Sequence, residues 1–182
     1  EACRVDAAPD LVRVVVGVDP PAGTISGDGG DACGIVVVGL DADGNGHVLD
    51  DASIAAASPE GWARAVAACA ARHRADRVVA EANNGGAMVK SVLLAADVAL
   101  PVRLVRASTG KVARAEPVAA LYEHGRVAHC GRFALLEDEL CGLMVGGGYD
   151  GPGRSPDRAD ALVWALTELM LRGKGQASIR TL

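Results

Sequence analysis

Four carboxylates stand where side chains can do chemistry: Asp19, Glu81, Asp157 and Asp160. Asp19 closes the apolar run LVRVVVGVDP, Leu11 to Pro20, and Glu81 closes the shorter run Arg77 to Ala80. An acid at the mouth of a strand is a candidate metal ligand or catalytic group, and the competing assignment for Asp19 is a turn-forming residue. If the two strands lie side by side, their terminal carboxylates are one strand spacing apart, about 4.7–4.9 Å. Neighbouring carboxylates raise each other's pKa unless a cation neutralises them, so the pair asks for a divalent metal. Magnesium or manganese suits an all-oxygen donor set. Asp157 and Asp160 are spaced i, i+3 in SPDRADALVWALTELML and so share one face of a helix. Asp160 points toward the sheet if Leu162 and Trp164 to Leu166 pack the core around it. Asp157, nearer the helix start, is either a charge favoured by the helix dipole or an additional ligand.

The elements that must position these acids follow from periodicity. Val12, Val14, Val15, Val16 and Val18 are apolar at odd and even positions, as in a strand buried on both faces at the centre of a sheet. Gly17 precedes its terminal acid, and the Pro20-Pro21 pair ends the ladder. After a Gly- and Asp-rich loop at 20–33, a second buried run, Gly34 to Leu40, and a third strand, His47 to Ser53, complete an antiparallel meander. Their connection, DADGNG, matches the start of a calcium-binding loop. Its twelfth position is Ala52 rather than Glu, so it reads as a hairpin turn. At SPEGWARAVAACAARHR the period becomes helical, with Ser58 as N-cap and Pro59 at the first position. The helix separates Arg77–Ala80 from the meander, so this strand crosses over and can run parallel to the first. A helix from Ala87 to Asp97, a fifth strand Pro101 to Arg106, and a helix Gly110 to His124 follow. A small extended stretch Arg126 to His129, a helix Phe133 to Met144, a loop Gly146 to Arg154, and the final helix capped by Ser155 complete the chain. This is the order of an RNase H-like α/β fold: a central five-stranded mixed sheet, three antiparallel strands plus two parallel ones, flanked by helices.

Bulk composition narrows the function classes. Half the residues are hydrophobic and only 3% aromatic, so the core is built of Ala, Val and Leu. The 18 basic against 23 acidic residues leave a formal charge of -5, which argues against an autonomous tight binder of phosphate backbones. Nothing in the sequence approaches the roughly 18 uninterrupted apolar residues of a membrane span, so no membrane partner is expected. The five cysteines are widely spaced without a C-x-x-C pair and indicate neither a disulfide framework nor a zinc site. His47, His73, His124 and His129 are scattered and single out no catalyst. The expected organisation is a leader at 1–10 from a longer chain, a domain at 11–172 and a frayed tail at 173–182.

The segments VVVGVDPPAG, VVAEANNGG, KVARAEPVAALYEHGRV, FALLEDEL and SPDRADALVWAL, in that order and spacing, together resemble the C-terminal nuclease domain of the large terminase subunit of tailed bacteriophages. The likeness runs over about residues 11 to 171. It implies a metal-binding catalytic triad of Asp19, Glu81 and Asp160, with Asp157 as an accessory ligand. The implied reaction is hydrolysis of double-stranded DNA assisted by two Mg2+ or Mn2+ ions, cutting concatemeric viral DNA during packaging in the host cytoplasm. The resemblance also implies as partners the ATPase domain of the same full-length chain, the small terminase subunit and the portal protein. Lys111 and Arg114 resemble the family's K-x-x-R-A stretch and are candidates for phosphate contact; the alternative is a solvated helix face. Asn83, Asn84, Gly85 and Gly86 either let backbone approach a phosphate at a helix start or form a plain turn. The sequence STGK, Ser108 to Lys111, has Val105 where a phosphate-binding loop requires Gly, so no ATPase motif is present. Rival readings are a junction resolvase or transposase core, an actin-like ATPase fragment suggested by DPPAGT, and a non-catalytic docking module for portal or capsid.

Overall fold

A computed structural model describes residues 3–21, 32–55, 57–83, 86–143 and 148–172. The tail at 173–182, Asn84, Gly85, and parts of the loops at 20–33 and Gly146–Arg154 lie outside these residues. The strands are β1 (Leu11–Asp19), β2 (Gly34–Asp41), β3 (Gly46–Asp51), β4 (Arg77–Glu81), β5 (Val102–Val105) and β6 (Val127–His129). The helices are α1 (Pro59–Arg72), α2 (Gly86–Ala96), α3 (Lys111–Glu123), α4 (Ala134–Cys141) and α5 (Asp157–Leu166), the last continuing into a π-helical turn, Thr167–Leu171.

The sheet runs β5-β4-β1-β2-β3-β6. β1, β2 and β3 form the expected antiparallel meander. β4 lies parallel to β1 and β5 parallel to β4. The sheet has six strands rather than the expected five. Arg126–His129 supplies the sixth, pairing parallel with β3 from Gly46↔Val127 to Val48↔His129. A three-residue segment has no periodicity of its own, so only its distant partner makes it a strand.

Both faces of the sheet are covered. Val16, Val18, Ile35, Val37, Val78 and Ala80 pack under α1 and α2, whereas Val15, Val36, Val38, Val48 and Val79 face α5. Two-sided burial of β1 holds from Val15 to Val18, while Val12 near its start is 63% exposed. α5 is buried on all sides from Ala159 to Leu166. It sits unusually close to the sheet because two glycines face it. A Cβ on Gly17 would lie 2.0 Å from the Ala161 carbonyl oxygen, and one on Gly34 would lie 1.9 Å from that of Asp157. No side chain fits there, so the helix backbone rests directly on β1 and β2.

The helix starts divide into local and tertiary solutions. Ser58 caps α1 as expected, its Oγ accepting from the Gly61 amide at 3.1 Å. α5 differs: it begins at Asp157, one residue beyond the expected Pro156, and Ser155 makes no cap bond to it. Its cap comes from α4, where buried Glu139 accepts from the Arg158 and Ala159 amides at 2.8 and 3.1 Å. The β2–β3 turn is the expected hairpin, with Gly44 at φ +81° and Asp41 accepting from the Asn45 amide at 2.8 Å.

Candidate active site

β1 and β4 run parallel and in register from Val15↔Arg77 to Val18↔Ala80, which brings Asp19 and Glu81 to the same end of the sheet. α5 crosses above that end on Gly17 and Gly34, delivering buried Asp157 and Asp160. The consequence is visible at Asp19. Its pKa is pushed well above the ordinary carboxylate value, first by burial and then by the charges of Asp160, Glu81 and Asp157. Asp19 therefore lies within electrostatic reach of the other three sequence-nominated acids.

Two cations stand among these acids. Lys111, the first residue of α3, pairs with Asp160 Oδ2 and donates to Ser155 Oγ at 2.9 Å. Burial pulls its ammonium pKa down, but Asp160, Asp19 and Asp157 outweigh that and hold it above its ordinary value. Arg114, one turn on, donates to Asp160 Oδ1 at 2.9 Å and lies 3.7 Å from Glu81 Oε2. Its side chain is 10% exposed, so the solvated-face alternative does not describe it. No three of the acids bring carboxylate oxygens within 4.8 Å of one another, so the site is spread around Lys111 and Arg114 rather than closed on one point. An all-carboxylate donor set suits hard divalent cations.

Glu81 is the most elaborately held of the acids. Trp164 donates its indole N–H to Glu81 Oε2 at 2.7 Å, and the Arg114 guanidinium lies 4.9 Å from the centre of the Trp164 ring. Asn83 donates to Glu81 Oε1 and accepts from the Ala107 amide at 2.9 Å, tying the ends of β4 and β5 together. Asn83 thus orients a carboxylate. Gly86 opens α2, close against Ala82, and Gly85 lies outside the described residues. Trp164, Glu139 and Ser155 were not nominated from sequence for these roles. For Trp164 a signal existed, because it lies i+4 from Asp160 and therefore shares its helix face.

The remaining histidines sit in networks of their own. His47 Nε2 meets Asp41 Oδ2 at 2.9 Å, and His129 lies between the Tyr122 hydroxyl and Glu137.

A meander extended by two parallel strands, with an acid at the mouth of its central strand and a buried helix bringing two more, defines an RNase H-like domain of the nuclease class. More narrowly, the chain belongs to the terminase RNaseH-like domain family, whose model matches residues 16–169. No curated protein matches the sequence. Among solved structures, the fold is similar to the large terminase nuclease of thermophilic phage G20c, at TM-score 0.65 and 21% identity over 90% of this chain and 85% of that one. That phage protein also has structures with bound magnesium, cobalt and zinc. The nuclease domain of the large terminase subunit gp2 of bacterial virus Sf6 gives TM-score 0.66 at 14% identity, over 91% of this chain and 94% of that one. Thermus thermophilus RuvC in complex with a Holliday junction substrate gives 0.50 at 21% identity, over 85% and 91%. The expected membership of the terminase nucleases is borne out.

Proposed function

We propose that this domain is a divalent-metal-dependent endonuclease that hydrolyses double-stranded DNA, cutting concatemeric viral DNA into genome lengths during packaging in the host cytoplasm. The observation that carries the reading is the gathering of Asp19, Glu81, Asp157 and Asp160 at one end of the sheet, beside Lys111 and Arg114. Asp19, Glu81 and Asp160 would hold the ions, two Mg2+ or Mn2+, with Asp157 in an accessory position. The chemistry such ions supply when bound is polarisation of the phosphate and activation of water. The protein's own contribution is orientation. Trp164, Asn83 and Arg114 hold Glu81, while α5, seated on two glycines, holds Asp157 and Asp160 against β1. Lys111 and Arg114 put cationic donors beside the acids, where a DNA phosphate would meet them. Asn83 and Gly86 would flank its path.

At a net charge of -5 the domain has little long-range attraction for DNA. Substrate delivery then falls to partners: the ATPase domain of the full-length chain, the small terminase subunit and the portal protein. The direct test incubates the domain with supercoiled plasmid in EDTA, magnesium or manganese, beside Asp19→Asn and Asp160→Asn variants whose folding is checked by circular dichroism. Metal-dependent cutting that disappears in both folded variants is expected, and wild-type cutting by either would remove the acid triad. A synthetic four-way junction run in parallel separates the biological settings, because strong preference for the branch would replace packaging with junction resolution.

A further inference from the structure

On the face of the sheet covered by α1, away from the acids, three different metal-ligating side chains converge: Asp50 of β3 and Cys69 and His73 of α1. Their ligand atoms all lie within 4.8 Å of one another, and among the described residues this is the one such group of three. The arrangement is built into the backbone. Cys69 and His73 are spaced i, i+4, and the His73 amide donates to the Cys69 carbonyl at 3.1 Å, so the last turn of α1 stacks the thiol and the imidazole on one side. β3 brings Asp50 against that side, where its Oδ2 already meets His73 Nε2 at 2.9 Å. Cys69 is 1% exposed, while the His73 and Asp50 side chains are 21% and 26% exposed, so the cluster has a dry inner wall and an open outer one.

We infer that Asp50, Cys69 and His73 form a zinc site that clips the end of α1 to β3, with a water completing the coordination from the solvent side. The donor set selects the metal. One thiolate, one imidazole and one carboxylate suit borderline-soft Zn2+, whereas hard Mg2+ and Mn2+ prefer the all-oxygen cluster at the other site. Tetrahedral bonds of about 2.0–2.3 Å place ligand atoms roughly 3.3–3.8 Å apart, so small rotations within the present spacing assemble the site. Binding releases the Cys69 thiol proton to solvent, and His73 ligates through neutral Nε2 with its ring proton on Nδ1. Arg72 competes for the same carboxylate at 2.9 Å, but its side chain is 62% exposed and is free to turn outward. The sequence conceals the site because Asp50 lies 19 residues before Cys69, with no cysteine pair to mark it.

Cobalt(II) is the discriminating probe, because a thiolate ligand gives a charge-transfer band in the near ultraviolet that carboxylates cannot give. Titration of the reduced wild-type domain is expected to produce that band at one equivalent and to lose it when zinc is added. Asp160→Asn should keep the band, which makes the result independent of the nuclease reading. Cys69→Ser should abolish it. His73→Gln, a half-buried position that spares the core, should weaken cobalt binding at least about tenfold. No band in the wild type at saturating cobalt, or a band unchanged in His73→Gln, would overturn the proposal.

Discussion

Replacing Gly17 with Ala tests how α5 is seated. The added Cβ would lie 2.0 Å from the Ala161 carbonyl oxygen, 2.9 Å from its carbonyl carbon and 3.1 Å from the Ala165 Cβ. Two of the three obstructing atoms are helix backbone, which cannot rotate away as a side-chain tip would. Ordinary contact is near 3.4 Å, so α5 must retreat from β1 by roughly 1 Å or β1 must bow. Overpacking a tight core costs about 1–3 kcal/mol, and a backbone obstruction puts this site near the upper end. At about 3 kcal/mol the melting temperature of a domain this size falls by about 6–12 °C. The same displacement carries Asp157 and Asp160 away from Asp19, and a misplacement of about 1 Å costs on the order of 100-fold in rate. Thermal unfolding followed by circular dichroism reads the first effect, and metal-dependent plasmid cutting reads the second. Val12→Ala, on the same strand but exposed, is the control and should stay within about 0.5 kcal/mol of wild type. A Gly17→Ala variant that melts with the wild type would refute the close seating of α5, whatever its activity.

Three further outcomes follow from named contacts. Trp164→Phe removes the indole hydrogen bond to Glu81 at 2.7 Å while keeping most of the core volume. A lost bond to a charged group is worth about 1.5–3 kcal/mol, so cutting should slow by about tenfold or more with the fold retained, and an unchanged rate would show that Asn83 and Arg114 suffice to hold Glu81. Glu139→Gln keeps one acceptor for the start of α5 but loses the charge paired with Arg158 at 2.8 Å. We expect a loss of about 2 kcal/mol, read as a fall of about 4–8 °C in melting temperature. Asp41 carries a pH signature. Hydrogen bonds from His47, then from the Asn45 amide, hold its pKa at about 2 against an ordinary value of 3.8. Its contribution to stability is therefore complete above 3.8 and is lost as pH falls through about 2. Asp41→Asn should flatten that part of the acid-unfolding profile; a variant profile parallel to wild type there would contradict it.

Much of the architecture was legible because it is encoded locally. The doubly apolar Val15–Val18 stretch read as a central strand, DADGNG read as a tight hairpin turn rather than a calcium-binding loop, and SPEGW announced a capped helix. The acids at the strand ends follow from the same reading, since parallel pairing of β1 with β4 puts Asp19 and Glu81 at one edge once the crossover is recognised. Side chains whose roles depend on distant partners were not legible. The expected Ser155 cap gave way to Glu139, and the Arg126–His129 stretch became a sixth strand through its pairing with β3.

The sequence by itself determined which acids stand at strand ends and in the first turn of the last helix, because a carboxylate's place at the end of an apolar run or at a helix start is a matter of local spacing. Tertiary structure decided how those residues meet. Gly17 and Gly34 carry no local signal for helix packing, yet their missing side chains set the height of α5 above the sheet. Arg114 turns inward to the acids rather than outward to solvent, and half-exposed Lys111 still reaches Asp160, because α3 packs beside α5. Asp50, Cys69 and His73 meet only when α1 folds back across β3. Spacing along the chain specifies a helix face or a strand end, but the distance between two such features is set by packing between elements far apart in sequence.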